Sequence, residues 1–257
     1  FFIDLMNYLD SKQYEFNKAS NDGVYIIHGF TNSTFETRAL AEYLGAQGFY
    51  TNAINLPGHG TTPEDCNRSR YTDWIQYTEQ GVAEMSSKCD NTYVVGVSMG
   101  SDLALHLSAT FPLTAAVFAS TVLEFKDYLG PRILTPLLHK LIPFRQKELI
   151  YEKNIRKDLD FYGYDVWPLS AVNEMRKLTN VVTKELHKIK CPALIAHSKI
   201  DTLSPQSNIR LVYNNISSKI KEKLILDRAK HNLFLDSPDQ KLIFKKIASF
   251  FQTYREN

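Results

Sequence analysis

Several chemistries are excluded by what this chain of 257 residues lacks. It has three cysteines, Cys66, Cys89 and Cys191, an odd number with no C-x-x-C spacing, so neither a disulfide framework nor a zinc site is expected. No H-E-x-x-H pair and no G-x-G-x-x-G run occurs, which removes the usual signatures of a zinc hydrolase and a dinucleotide cofactor. No metal and no cofactor is expected. The formal net charge is only +2, and the lysines of "KELHKIK" and "KIKEK" alternate with acids and apolar residues, so no nucleic-acid partner is implied. No apolar run reaches the length of a membrane span, and stable membrane insertion is not expected. The opening "FFIDLMNYLD" carries Asp4 early and has neither a basic leader nor a small-residue cleavage site, so it does not read as a signal peptide. With unpaired cysteines, a cytoplasmic location is the simplest expectation.

What is present is ordinary globular composition, 44% hydrophobic and 23% charged, in one repeating pattern. Strand-like runs over residues 23–29, 51–58, 92–98, 113–121, 191–198 and 222–228 alternate with segments of helical period, notably 35–46 and 72–88. Such alternation predicts an α/β fold, a mostly parallel central sheet with helices on both faces. The rhythm breaks between Leu123 and Leu186, far more chain than the dozen or so residues a crossover needs. The expected organisation is therefore a core of residues 1–122 and 187–257 with a helical cap insertion over 123–186. The last part of that insertion reads as a helix from about Ser170 to His187, returning to the core.

One strand runs directly into "GVSMG", a G-x-S-x-G pattern followed by a helical segment. A strand-turn-helix of this kind is so tight that the flanking positions need glycine, and it lifts its serine, Ser98, to the helix N-terminus. A serine hydroxyl needs a base to become a nucleophile, and the base needs an acid to fix its tautomer. Asp201 in "IDTLSP" and His231 in "DRAKHNLFLD" follow later strands, in that chain order, on loops at the strands' carboxyl ends. Glu124 and Asp227 compete with Asp201 as the acid. The loop "IIHGFTNST" offers Phe30 N–H, and the residue after the serine offers Met99 N–H, as the two oxyanion donors, with the side chains of Phe30 and Met99 lining the pocket. His28 and His59 read as loop-shaping hydrogen-bonders, His106 as a packed helix residue and His197 as strand-end packing. His139 and His187 have no evident partner.

The pieces "HGFTNST", "LPGHGTTPED", "GVSMGS", "HSKIDTLSP" and "KHNLFLD", spread from His28 to Asp236, together resemble an α/β-hydrolase, and more narrowly the small bacterial carboxylesterases and monoacylglycerol lipases. The resemblance implies a triad of Ser98, Asp201 and His231, an oxyanion hole from Phe30 and Met99, and a cap over an acyl pocket. Ser101 departs from it, standing where many relatives have a further glycine. The expected activity is hydrolysis of short- to medium-chain acyl esters or monoacylglycerols through an acyl-enzyme, with a small-molecule ester as the partner. Thioester or carbon-carbon bond hydrolysis on the same residues, and a weakly catalytic receptor, are the alternatives; the oligomeric state is open.

Overall fold

The computed structural model describes residues 10–127, 129–147, 163–235 and 237–255. Part of the insertion, including the start of "DLDFYGYDVWPLS", and Asp236 lie outside them.

Seven strands form one sheet: β1 (Tyr14–Phe16), β2 (Asp22–Ile27), β3 (Tyr50–Ile54), β4 (Asn91–Val97), β5 (Ala115–Ala119), β8 (Ala193–Ser198) and β9 (Lys221–Leu226), in the order β1-β3-β2-β4-β5-β8-β9. Only β1 runs antiparallel, pairing Glu15 with Asn52 of β3. The other six are parallel, and each is reached by a crossover that must place chain on a face of the sheet.

The central strands are apolar on both sides because both faces are covered. In β4, Tyr93, Val95 and Val97 enter one core with Leu40 and Leu44 of α1 (Phe35–Ala46) and with Phe250 and Phe251 of α8 (Gln240–Thr253). Val94, between them, points to the opposite core. That second core holds Trp74 and Val82 of α3 (Tyr71–Ser86), Leu103 and Leu107 of α4 (Met99–Thr110), Leu178 of α6 (Leu169–Glu185) and Val212 of α7 (Ser207–Asn215). Each such aliphatic side chain, taken fully out of water, contributes about 1.5–3 kcal/mol before conformational entropy is set against it. Ten of the twelve residues of α4 are buried, since this helix lies between the sheet, α3 and α6.

The insertion differs from a purely helical expectation. Its described part has a π-helical turn (Gly130–Leu134), the short α5 (Thr135–Leu138), and a two-stranded antiparallel sheet of β6 (Phe144–Gln146) and β7 (Val166–Pro168). Pro143 and Pro168 bracket these strands and disfavour helix there. The hairpin is tied to α2 (Pro63–Arg68), where Asn67 donates to Pro143 O and its Oδ1 accepts from Ser170 N and Ala171 N, capping the start of α6. No described helix is long and apolar enough to cross a membrane.

Candidate active site

The turn from β4 into α4 is the tightest point of the fold. Ser98 has φ 56° and ψ −124°, a conformation side chains avoid, and its amide is held by Ala119 O of β5 at 2.9 Å. A Cβ on Gly96 would lie 2.0 Å from Gly100 O, and one on Gly100 would lie 2.2 Å from Ile27 O. Both contacts are with backbone, so only glycine lets α4 press this closely on the strands. Ser101, one place on, puts its Oγ 2.6 Å from Thr121 Oγ1 and links α4 to the loop after β5.

Ser98 Oγ lies 2.9 Å from His231 Nε2, and His231 Nδ1 lies 2.8 Å from Asp201 Oδ2. The three come from the ends of β4, β8 and β9 and meet at one edge of the sheet, each residue 8% exposed, so the hydrogen-bonded chain is nearly shut off from water. Asp201 Oδ1 accepts from the amides of Leu203 and Ser204 at 2.8 and 2.9 Å. Burial pushes the Asp201 carboxyl up. The charge and hydrogen bond of His231 and the two amides outweigh that, holding it below the usual range. An ionised Asp201 fixes Nδ1 as the protonated nitrogen and leaves Nε2 free to accept from Ser98.

The loop bearing His231 is itself anchored. Ser120 Oγ donates to His231 O at 2.8 Å, and Asp239 accepts from the amides of Arg228 and Ala229, both at 3.0 Å. Neither competing acid reaches the imidazole. Glu124 takes a hydrogen bond from Ser207, and the exposed Asp227 pairs with Lys199.

Opposite Ser98 runs the loop after β2. A Cβ on Gly29 would stand 3.0 Å from Ser98 Cβ, so the loop passes in contact with the serine, with Phe30 the next residue. Met99 is the first residue of α4, where helix N–H groups have no intrahelical partner. The Phe30 ring is wedged among His59, Trp74 and, stacked at 6.2 Å, Trp167 of β7. Lys147 reaches across from the end of β6 to donate to Thr31 Oγ1 at 2.6 Å, its Nζ 4.4 Å from the Trp167 ring centroid.

His28 and His59 do bond the loops, as expected. His28 Nδ1 donates to Gly29 O at 2.8 Å, while its Nε2 accepts from Leu56 N at 3.1 Å; His59 Nδ1 bonds Pro57 O. Burial lowers their rings to about 4 and about 3. His197 contacts Ser204 O at 3.3 Å and stands 3.7 Å from Asp201. His106 is packed in α4 as expected, and it also sits between Glu185 (2.7 Å) and Glu79 (3.1 Å). His139 has a partner after all, Ser170 Oγ at 3.1 Å, and His187 O accepts from Ser217. Sequence reasoning missed Glu36, which is fully buried in the first turn of α1 with Oε2 2.6 Å from Gly29 N. Its only sequence signal is an acid beginning a helix, which would ordinarily be exposed. Among the described residues no group of His, Cys, Asp and Glu could hold a metal ion.

Known proteins resemble this chain over most of its length. The chain is similar to a thermostable monoacylglycerol lipase of Bacillus sp., 31% identical over 238 residues that cover 89% of this chain and 90% of that protein. It is similar to a carboxylesterase of Bacillus subtilis, 21% identical over 91% of this chain and 94% of the relative. A solved structure reported for LipS and LipT, two metagenome-derived lipolytic enzymes, superposes with a TM-score of 0.83 at 27% identity, covering 95% of this chain and 98% of the other. The α/β-hydrolase fold and the expectation of a serine ester hydrolase are borne out, and the alternatives are not favoured. The model of the family described as serine aminopeptidase, S33, matches residues 19–238, and the chain belongs to this family of α/β-hydrolases.

Proposed function

We propose that Ser98, His231 and Asp201 are the catalytic triad of a carboxylic-ester hydrolase acting on short- to medium-chain acyl esters or monoacylglycerols. The observation that carries this reading is the unbroken hydrogen-bonded chain from Ser98 through His231 to Asp201, with Ser98 held at a strained turn. His231 Nε2 takes the Ser98 proton as Oγ bonds to the ester carbonyl carbon, and the carbonyl oxygen becomes an oxyanion facing the N–H groups of Phe30 and Met99. Collapse of this adduct breaks the bond to the alcohol, which leaves with the proton from His231. Water, deprotonated by the same imidazole, then attacks the acyl-Ser98 ester, and release of the acid restores the hydroxyl. Asp201 keeps the ring oriented and supports its transient positive charge.

Residues 123–186 act as the cap, with the apolar ring of Trp167 and the loop of Phe30 beside the acyl group. Their aromatic character supports a hydrophobic acyl chain, and the similarity to a monoacylglycerol lipase supports a glycerol ester. The free thiols of Cys66, Cys89 and Cys191 support a cytoplasmic location.

The test is hydrolysis of p-nitrophenyl butyrate and of a monoacylglycerol by wild type and Ser98→Ala, with an aminoacyl p-nitroanilide as the peptidase control. Ester turnover lost in the variant, together with loss of covalent labelling by a fluorophosphonate, supports the reading. Retained ester turnover in Ser98→Ala overturns it.

A further inference from the structure

Glu36 is an unusual acid. A glutamate in the first turn of a helix ordinarily faces solvent and favours the helix dipole from there. This one is 0% exposed, spends one carboxylate oxygen on Gly29 N at 2.6 Å, and has an Oε1 with no partner in hydrogen-bonding geometry. Buried carboxylates are costly enough that their position calls for a local reason.

Gly29 supplies one. It separates Glu36 from the serine, since a Cβ on Gly29 would stand 3.2 Å from Glu36 Oε2 and 3.0 Å from Ser98 Cβ. Each peptide unit flanking Gly29 is gripped. The N–H of the His28–Gly29 peptide goes to Glu36, and the C=O of the Gly29–Phe30 peptide accepts from His28 Nδ1 at 2.8 Å and from Asn32 N at 3.2 Å. A trans peptide is planar with its C=O and N–H opposed. Fixing Gly29 O therefore aims Phe30 N–H the other way, and fixing Gly29 N removes the remaining freedom of the glycine, the most flexible residue of the loop.

We propose that Glu36 is a positioning residue, whose buried carboxyl holds Gly29 N–H and thereby sets the Phe30 N–H for the oxyanion; this rests on the serine-hydrolase reading above. The role needs an acceptor rather than a full charge. Burial drives the Glu36 carboxyl up to about 7 against the pull of Gly29 N–H, His231, Asn32 and Lys147, and a carboxyl can accept from Gly29 whether or not it is ionised.

The test compares Glu36→Ala, Glu36→Gln and Ser98→Ala for p-nitrophenyl ester kinetics and for inhibition by an aliphatic trifluoromethyl ketone, which adds to the serine to form an oxyanion. In Glu36→Ala, kcat is expected to fall about 10- to 100-fold with KM within about threefold, and the ketone to weaken by a similar factor. Glu36→Gln, which keeps an acceptor oxygen, is expected to restore most of both. Wild-type kcat and ketone affinity in Glu36→Ala overturn the proposal, and so does a Glu36→Gln enzyme as impaired as Glu36→Ala. Ester turnover retained by Ser98→Ala would instead overturn the serine reading itself, so the two failures are distinct.

Discussion

The ring of Trp167 lies parallel to that of Phe30, centroids 6.2 Å apart and planes inclined by 7°, so the hairpin of the insertion rests directly on the loop that faces Ser98. Hairpin and loop are a single packed unit at this point. Trp167→Ala should release both the Phe30 ring and the surface under Lys147. We expect kcat/KM for esters to fall about tenfold, with a stability loss of about 1–3 kcal/mol, read by steady-state kinetics and urea unfolding. Unchanged kinetics would show that the stacking has no bearing on the site.

Gly100 and Ser101 are neighbours with opposite tolerances. Gly100→Ala places a methyl against the carbonyls of Ile27 and His28, both backbone and unable to yield. The strain, about 1–3 kcal/mol or more, is expected to lower the melting temperature and to displace Ser98 enough to abolish most ester turnover. Ser101→Gly loses the bond to Thr121, about 1 kcal/mol, together with about 0.5–1 kcal/mol of helix backbone entropy, and should stay active. Calorimetry with parallel ester assays checks the contrast.

Two buried rings weaken the fold in mild acid, while the raised carboxyls of Glu36 and Asp102 act in the opposite direction. His28 and His59 are buried neutral, with folded values of about 4 and about 3 against 6.5 for a free imidazole. Below pH 6.5 the unfolded chain takes up protons that the folded chain refuses, so the stabilisation is complete above 6.5 and is lost as pH falls towards the folded values. At pH 5 each ring accounts for a loss of about 2 kcal/mol. His59→Gln should shrink the drop in unfolding free energy between pH 7 and pH 5 by about that amount. An equal drop in the variant would refute the assignment.

Asp239 acts at a distance. Its carboxylate holds the amides of Arg228 and Ala229, three and two residues before His231. Asp239→Ala should cost about 1–3 kcal/mol and lower kcat through a less ordered imidazole, with KM little changed. Loss of stability with kcat intact would limit Asp239 to a structural role.

Much of this was legible in the chain because its strands are buried on both faces and leave plain apolar runs. β4 and β8 lie within two residues of the sequence expectation, and α1 matches it at both ends. β1 was not legible, because three residues, Tyr14 to Phe16, make a strand only by pairing with β3. The same holds for β6 and β7, three residues each, which pair across a separation of about twenty residues in the chain. The helix α8 does carry an amphipathic pattern in "QKLIFKKIASFFQT", with Ile243, Phe244 and Ile247 on its buried side, but it follows the last strand and so falls outside the strand-helix-strand alternation. Ser98, Asp201 and His231 could be singled out by residue type and order. Glu36 could not, since its burial comes from loops folding over it rather than from anything beside it in the chain.

The conformation of Ser98 has a consequence for how this protein can change. A side chain at φ 56° costs of order 1–3 kcal/mol, and glycine would relieve it. With Ser98 as the proposed nucleophile, Ser98→Gly is thus a route to a tougher molecule that lacks it. Under selection for heat resistance alone, the position would drift towards silence; only continued demand for turnover keeps a hydroxyl there.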